Sequence, residues 1–256
     1  MPPRAWTGPD KAAMDPLGAT WDMGKILVNL VPVAIGAAVG GPMWIIMALL
    51  LLRSNHGVAK AAAFATGAIT VRILQFVLFS RIFGAVLDSG GESEMGLVYS
   101  ILLLLGGIVL LITAVKTWFK ETDPDAPPSK WVAALNRISA PAAFGMAVVM
   151  MFLGFKQWVF TLSAIAIIDE AKMGKIGSVL LYLLFIAAAQ ALMLTPIIAS
   201  ALTPNKSSKI VGVMLGWLER NSRAITVAVS LIFGVWFLSK SAAALRVVPV
   251  GNLILN

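Results

Sequence analysis

Cysteine is absent from the chain, and histidine occurs once, at position 56. The first absence excludes disulfides, thiol redox relays and thiolate metal sites. The second excludes a metal site built from several imidazoles. Charge is scarce as well: Asp, Glu, Lys and Arg make up 12% of the residues, where a soluble domain carries about 25%. Neither G-x-S-x-G, H-E-x-x-H nor G-x-x-x-x-G-K-[ST] occurs, so membrane hydrolysis and nucleotide-driven transport lack a motif. No catalytic residue, no metal and no cofactor is expected, and the protein is not read as an enzyme.

What is present is apolar. Hydrophobic residues are 59% of the chain, and the mean hydropathy is +0.89. Long uncharged runs include Ile26–Leu52, Gly96–Val115 and Ile176–Asn205, and runs of about 18 or more are read as membrane spans. Six spans are predicted, at 26–52, 60–85, 96–118, 141–168, 176–202 and 223–245. Residues 1–25 contain no apolar core that would serve as a signal peptide, and are expected to form an aqueous or interfacial tail. Residues 246–256 form a second tail. The segment KTWFKETDPDAPPSKWVAALNRIS, 116–139, is rich in Pro, Asp and Lys. It reads as a linker (119–140) between two three-helix units, 26–118 and 141–245. Residues 210–218, too short to span, are expected at the interface.

The net charge of +8 follows membrane topology rather than nucleic-acid binding. Basic residues crowd the loops at 53–60, 116–139 and 203–223, which are therefore expected on the cytoplasmic side of a bacterial inner membrane. Loops at 81–95 and 169–175, and both termini, would then face outward. Three spans per unit is an odd number, so a repeat between the units must be inverted. The predicted fold is an all-α integral membrane protein of two inverted three-helix repeats. Spans 1 and 4 are unusually long for a hydrocarbon core of about 30 Å. Each carries an interruption near its middle, Gly40-Gly41-Pro42 in one and Gly154-Phe155-Lys156-Gln157 in the other. A shift of 114 residues aligns Gly40 with Gly154 and Trp44 with Trp158. Both spans are expected to break or kink there and to cross near the membrane centre.

Two cations stand where charge is most costly. Lys156 lies midway along span 4, and Arg72 near the middle of span 2 with Gln75 on the same helix face. Gln190 occupies the middle of span 5, before a predicted kink at Thr195-Pro196. Each central Lys or Arg opposes insertion by about 2.5–3.5 kcal/mol, and no carboxylate lies at their depth. Structurally, the cations could cap helix carbonyls at the breaks or reach water through a cavity. Functionally, they would line a polar cavity and attract an anionic group on a substrate. The expected substrate-binding set is Lys156, Arg72, Gln157, Gln75, Gln190, Pro42 and Gly41. His56 reads as an interfacial loop residue, and Asp169-Glu170 with Lys172 as a solvated turn.

Three segments carry a family resemblance: GPMWIIMALLLLRSNHGVAKAAAFATG, FLGFKQWVFTLSAIAIIDEA and LERNSRAITVAVSLIFGVWFLSKSAAAL. They resemble the glycolipid-addressing protein (GAP) family within the lysine-exporter superfamily, over most of residues 26–245. That family often shows Asn-Pro-Lys where this chain has Gly154-Phe155-Lys156. The lysine carries over and the Asn-Pro does not. The resemblance implies export, or help with export, of an envelope lipid or glycolipid, with the bilayer and such a lipid as partners. A homo-oligomer or envelope-assembly proteins could also be partners. Alternative readings are an exporter of small polar solutes such as amino acids, and a non-transporting scaffold for envelope-lipid assembly.

Overall fold

The computed structural model describes residues 16–119, 135, 137–171 and 173–247. The helices whose bounds it gives are α1 (Pro16–Val39), α2 (Pro42–Leu52), α3 (Gly57–Phe119), α4 (Ala140–Leu153), α5 (Phe155–Glu170), α6 (Gly174–Leu202) and α7 (Pro204–Val247). No strand occurs among the described residues. The start of the N-terminal tail (1–15), most of the linker (120–134 and 136), Lys172 and the tail 248–256 lie outside them. Four stretches are each long and apolar enough to cross a bilayer: Gly57–Ile82, Ser100–Phe119, Gly174–Leu202 and Ser207–Ala243. The pairs α1–α2 and α4–α5 qualify as one bent span each, which gives up to six. This is a multi-pass membrane protein.

The breaks fall where glycine and proline put them. α1 ends at Val39, Gly41 precedes α2, and Pro42 sits in the first turn of α2, where its missing N–H costs nothing and its fixed φ suits the helix. Successive axes bend there by 51°. Gly154 separates α4 from α5, with a bend of 77°. Both breaks restart in the same way. The Gly41 carbonyl accepts from the Trp44 amide at 2.9 Å, and the Gly154 carbonyl from the Gln157 amide at 2.8 Å. They also face each other, since a Cβ on Gly41 would lie 2.9 Å from Gln157 Nε2 and one on Gly154 would lie 3.4 Å from the Trp44 ring.

Two expectations need correction. Residues 81–95, read as a loop, keep helical turns, so spans 2 and 3 belong to one helical element, α3. That element nonetheless reverses direction. Arg72 bonds Thr161, while a Cβ on Gly106 would lie 3.5 Å from Val159 Cβ. A straight helix would separate Arg72 from Gly106 by about 51 Å, yet both touch one turn of α5. The reversal lies between Arg72 and Gly106. Residues 210–218, read as a separate interfacial segment, are continuous with the last span in α7. Val211, Leu215 and Leu218 pack on Ile45, Ile46 and Leu49 of α2, which gives this stretch an apolar partner inside the protein.

Small residues let the second limb of α3 meet α7. Ser241 Oγ donates to the Ser100 carbonyl at 2.9 Å at one end, and Arg223 donates to the Trp118 carbonyl at the other, so the two run antiparallel. Midway, a Cβ on Gly107 would lie 3.1 Å from the Gly234 carbonyl oxygen, and the converse distance is 3.3 Å. Glycine at both positions permits this approach, as small residues do between membrane helices. α1, α5 and α6 join this pair around Phe160, Ile165, Tyr182, Phe185 and Phe237, all buried, while α2 and α4 pack with the first limb of α3 around Met47, Leu51, Phe64, Ala143 and Ala147. Pro196 is accommodated inside a continuous α6. His56, with φ of +56°, turns the corner between α2 and α3. Asp169 lies in the last turn of α5 with Oδ2 buried rather than in a solvated turn.

Candidate functional site

The two central cations occupy different surroundings. Arg72 is 2% exposed, and side chains take up both ends of its guanidinium. Nη1 donates to Thr161 Oγ1 at 2.7 Å, and Nη2 to Gln157 Oε1 at 2.6 Å. The Phe185 ring lies 5.5 Å from its Cζ, and the Tyr182 hydroxyl donates to its backbone carbonyl at 2.8 Å. Gln157 Nε2 in turn donates to the Ala37 carbonyl at 3.4 Å. Arg72 therefore ties α3 to α5, and through Gln157 to the end of α1 at its break. Hydrogen bonds to a charged group stabilise by about 1.5–3 kcal/mol each, enough to offset the insertion cost of one central arginine.

Lys156, one residue earlier, makes no hydrogen bond or ion pair among the described residues. It lines a cavity of about 810 Å³ bounded by both breaks, the second limb of α3 and α7. Pro42, Gly41 and Gln157 share that lining. The carbonyls left open at the end of α4 are met by another group. Trp158 Nε1 donates to the Met151 and Phe152 carbonyls at 3.1 and 3.2 Å. Capping of the break thus falls to an indole, and the lysine amine is left to the cavity.

Gln157 borders both environments. With Arg72, Gln190, Gly41 and Trp44 it also lines a small void of about 20 Å³, room for about one water. Gln75 is buried at 4% exposure, lines neither space, and neither of its polar atoms has a hydrogen-bond partner among the described residues. Of the expected set, the large cavity brings together Lys156, Gln157, Gly41 and Pro42, while Arg72 and Gln190 face the small void behind Gln157. Sequence reasoning missed several wall residues. Thr113 and Thr117 from α3, and Ser222, Arg223 and Thr226 from α7, give the large cavity hydroxyls and a second cation. The i,i+4 spacing of Thr113 with Thr117 and of Ser222 with Thr226 was the available signal, since it places each pair on one helix face.

Residues 30–243 match the family model described as "Sap, sulfolipid-1-addressing protein". The chain belongs to the sulfolipid-1-addressing protein family. The glycolipid-addressing resemblance read from the three sequence segments agrees with this membership. Both helix breaks, Lys156 and all the named walls of the large cavity lie inside the region the family shares. No curated protein and no solved structure matches the chain.

Proposed function

We propose that this member of the sulfolipid-1-addressing family is a non-enzymatic inner-membrane exporter, which moves an anionic lipid or glycolipid towards the cell envelope. The observation that carries the reading is Lys156: a cation in the middle of a broken span, without a partner among the described residues, facing a cavity of about 810 Å³. A charge kept at such depth against its insertion cost marks a functional position. The family is named for a sulfolipid, and an anionic headgroup supplies the countercharge that the protein withholds. Paired breaks support an inverted repeat, the arrangement that builds midplane sites in many transporters; the matching restarts at Gly41 and Gly154 put the register one residue short of the 114 read from the sequence. In this reading Lys156 meets the headgroup first, Gln157 lies beside it, and Arg72 holds Gln157 in place from behind.

Export of a small polar solute is the second reading, and the site's mixed walls weigh against it. Phe155, Met43 and Leu153 line the cavity together with the hydroxyls, a surface suited to an amphiphile. A scaffold would have no use for an unpartnered cation in a cavity. Reconstitution tests the proposal. Proteoliposomes should accelerate transbilayer movement of fluorescent-tailed phosphatidylglycerol, relative to protein-free vesicles, more than that of the equally labelled zwitterionic phosphatidylcholine. Equal acceleration of both lipids, or no rate above protein-free vesicles, counts against it.

A further inference from the structure

A second cavity of different chemistry adjoins the one at Lys156. Val109 and Phe155 form walls of both. The second encloses about 400 Å³, and Leu102, Leu105, Val159 and Leu162 line it together with Trp158. Its one polar hydrogen, on the Trp158 indole, already serves the Met151 and Phe152 carbonyls. A ligand group placed there finds no side-chain hydrogen bond and must be hydrocarbon. Leu105 and Phe155 are 56% and 72% exposed, so the space opens on the surface that faces lipid tails.

The two cavities follow one direction. Along the second limb of α3, the polar space reaches Thr117 and the apolar one reaches Leu102. Those fifteen residues rise about 22 Å. Cations and hydroxyls occupy the end nearest the basic loops, hydrocarbon the other, with Lys156 at the junction. A lipid with its headgroup in the cavity at Lys156 and one tail directed away from the basic loops has this polarity.

We infer that the 400 Å³ groove between α3 and α5 is an acyl-chain subsite, holding one tail of the anionic lipid whose headgroup lies against Lys156. The inference rests on the proposed function. Surrounding lipid solvates a tail as well as the groove does, so the groove contributes shape and direction rather than hydrophobic attraction. Its occupancy is therefore read by where a tail lies, not by affinity alone.

Phosphatidylglycerol carrying a terminal diazirine on one acyl chain is photolysed with the purified full chain in detergent micelles, and the labelled peptides are mapped. Diacylglycerol with the same tail is the control, and pulse acetylation reports independently whether the Lys156 amine is covered. The expected result is labelling of residues 102–109 and 152–162 at least threefold above the control, with Lys156 protected by phosphatidylglycerol. Leu105→Trp, which fills the groove from an exposed position, should return labelling to control while Lys156 stays protected. Leu162→Trp serves as the second blocking variant. Equal labelling by both lipids, or labelling unchanged by both blocking variants, overturns the subsite even where Lys156 is protected, and leaves the headgroup reading standing. An unprotected Lys156 with tail labelling intact overturns the headgroup contact, and with it the single two-part site.

Discussion

Replacing Lys156 with methionine separates function from fold, because the structure gives the lysine no structural task. Its amine has no partner among the described residues, and the carbonyls at the adjacent break are held by Trp158. Methionine keeps similar length and flexibility and removes a charge that opposes insertion by at most about 2.5–3.5 kcal/mol. The lysine is only half-buried and reaches the cavity, so the expected gain in stability is a fraction of that figure. Melting temperature in detergent should stay level or rise. A charge-assisted contact with a headgroup stabilises by about 1.5–3 kcal/mol. Its loss should slow transport of phosphatidylglycerol in proteoliposomes by about 10- to 100-fold. Lys156→Arg keeps the charge with a different geometry and should retain part of the rate. A destabilised Lys156→Met protein would show that the lysine holds the fold after all. A stable one that transports at the normal rate would remove it from the site.

Arg72 should behave in the opposite way. Arg72→Met strands Gln157 and Thr161, and should lower stability by about 2 kcal/mol after the relieved insertion cost is subtracted; an unchanged melting temperature would refute its role as a tie between helices. Trp158→Phe keeps the ring but opens two carbonyls at the α4 break, and should cost about 1–2 kcal/mol in a thermal or denaturant melt. Gly107→Leu forces α3 away from Gly234 and should destabilise by about 1–3 kcal/mol, a loss that a normal melting curve would contradict. Since the chain has no cysteine, Asn55→Cys and Lys175→Cys report topology cleanly. An impermeant thiol reagent on intact cells should label position 175 and spare position 55, and the reverse pattern would invert the proposed orientation.

Much of the fold was legible because its signals are local. Gly40-Gly41-Pro42 and Gly154 break helices through their own backbone chemistry, and the two breaks appear at those residues. The central positions of Lys156 and Arg72 followed from run length alone. Their environments did not, because Thr161, Tyr182 and Phe185, which meet Arg72, lie 89, 110 and 113 positions away from it in the chain. Only helix packing brings those partners to the guanidinium, so two similar cations in sequence became a tie and a cavity wall. The 81–95 segment misled for a different reason. Its Gly and Asp content suggests a loop, while the backbone continues in helical turns through a reversal. The stretch 210–218 was misjudged by length, since Asn221 and Ser222 do not interrupt α7.

The central claim is that an anionic envelope lipid leaves the inner membrane through the Lys156 cavity. Lipid analysis of separated inner-membrane and outer-envelope fractions tests it most directly, in a deletion strain carrying either the wild-type chain or Lys156→Met at matched protein levels. The account predicts that an anionic lipid accumulates in the inner membrane of the deletion strain and is depleted outside. The wild-type chain should restore the distribution, and Lys156→Met should not. An unchanged distribution on deletion, or full restoration by Lys156→Met, would contradict it.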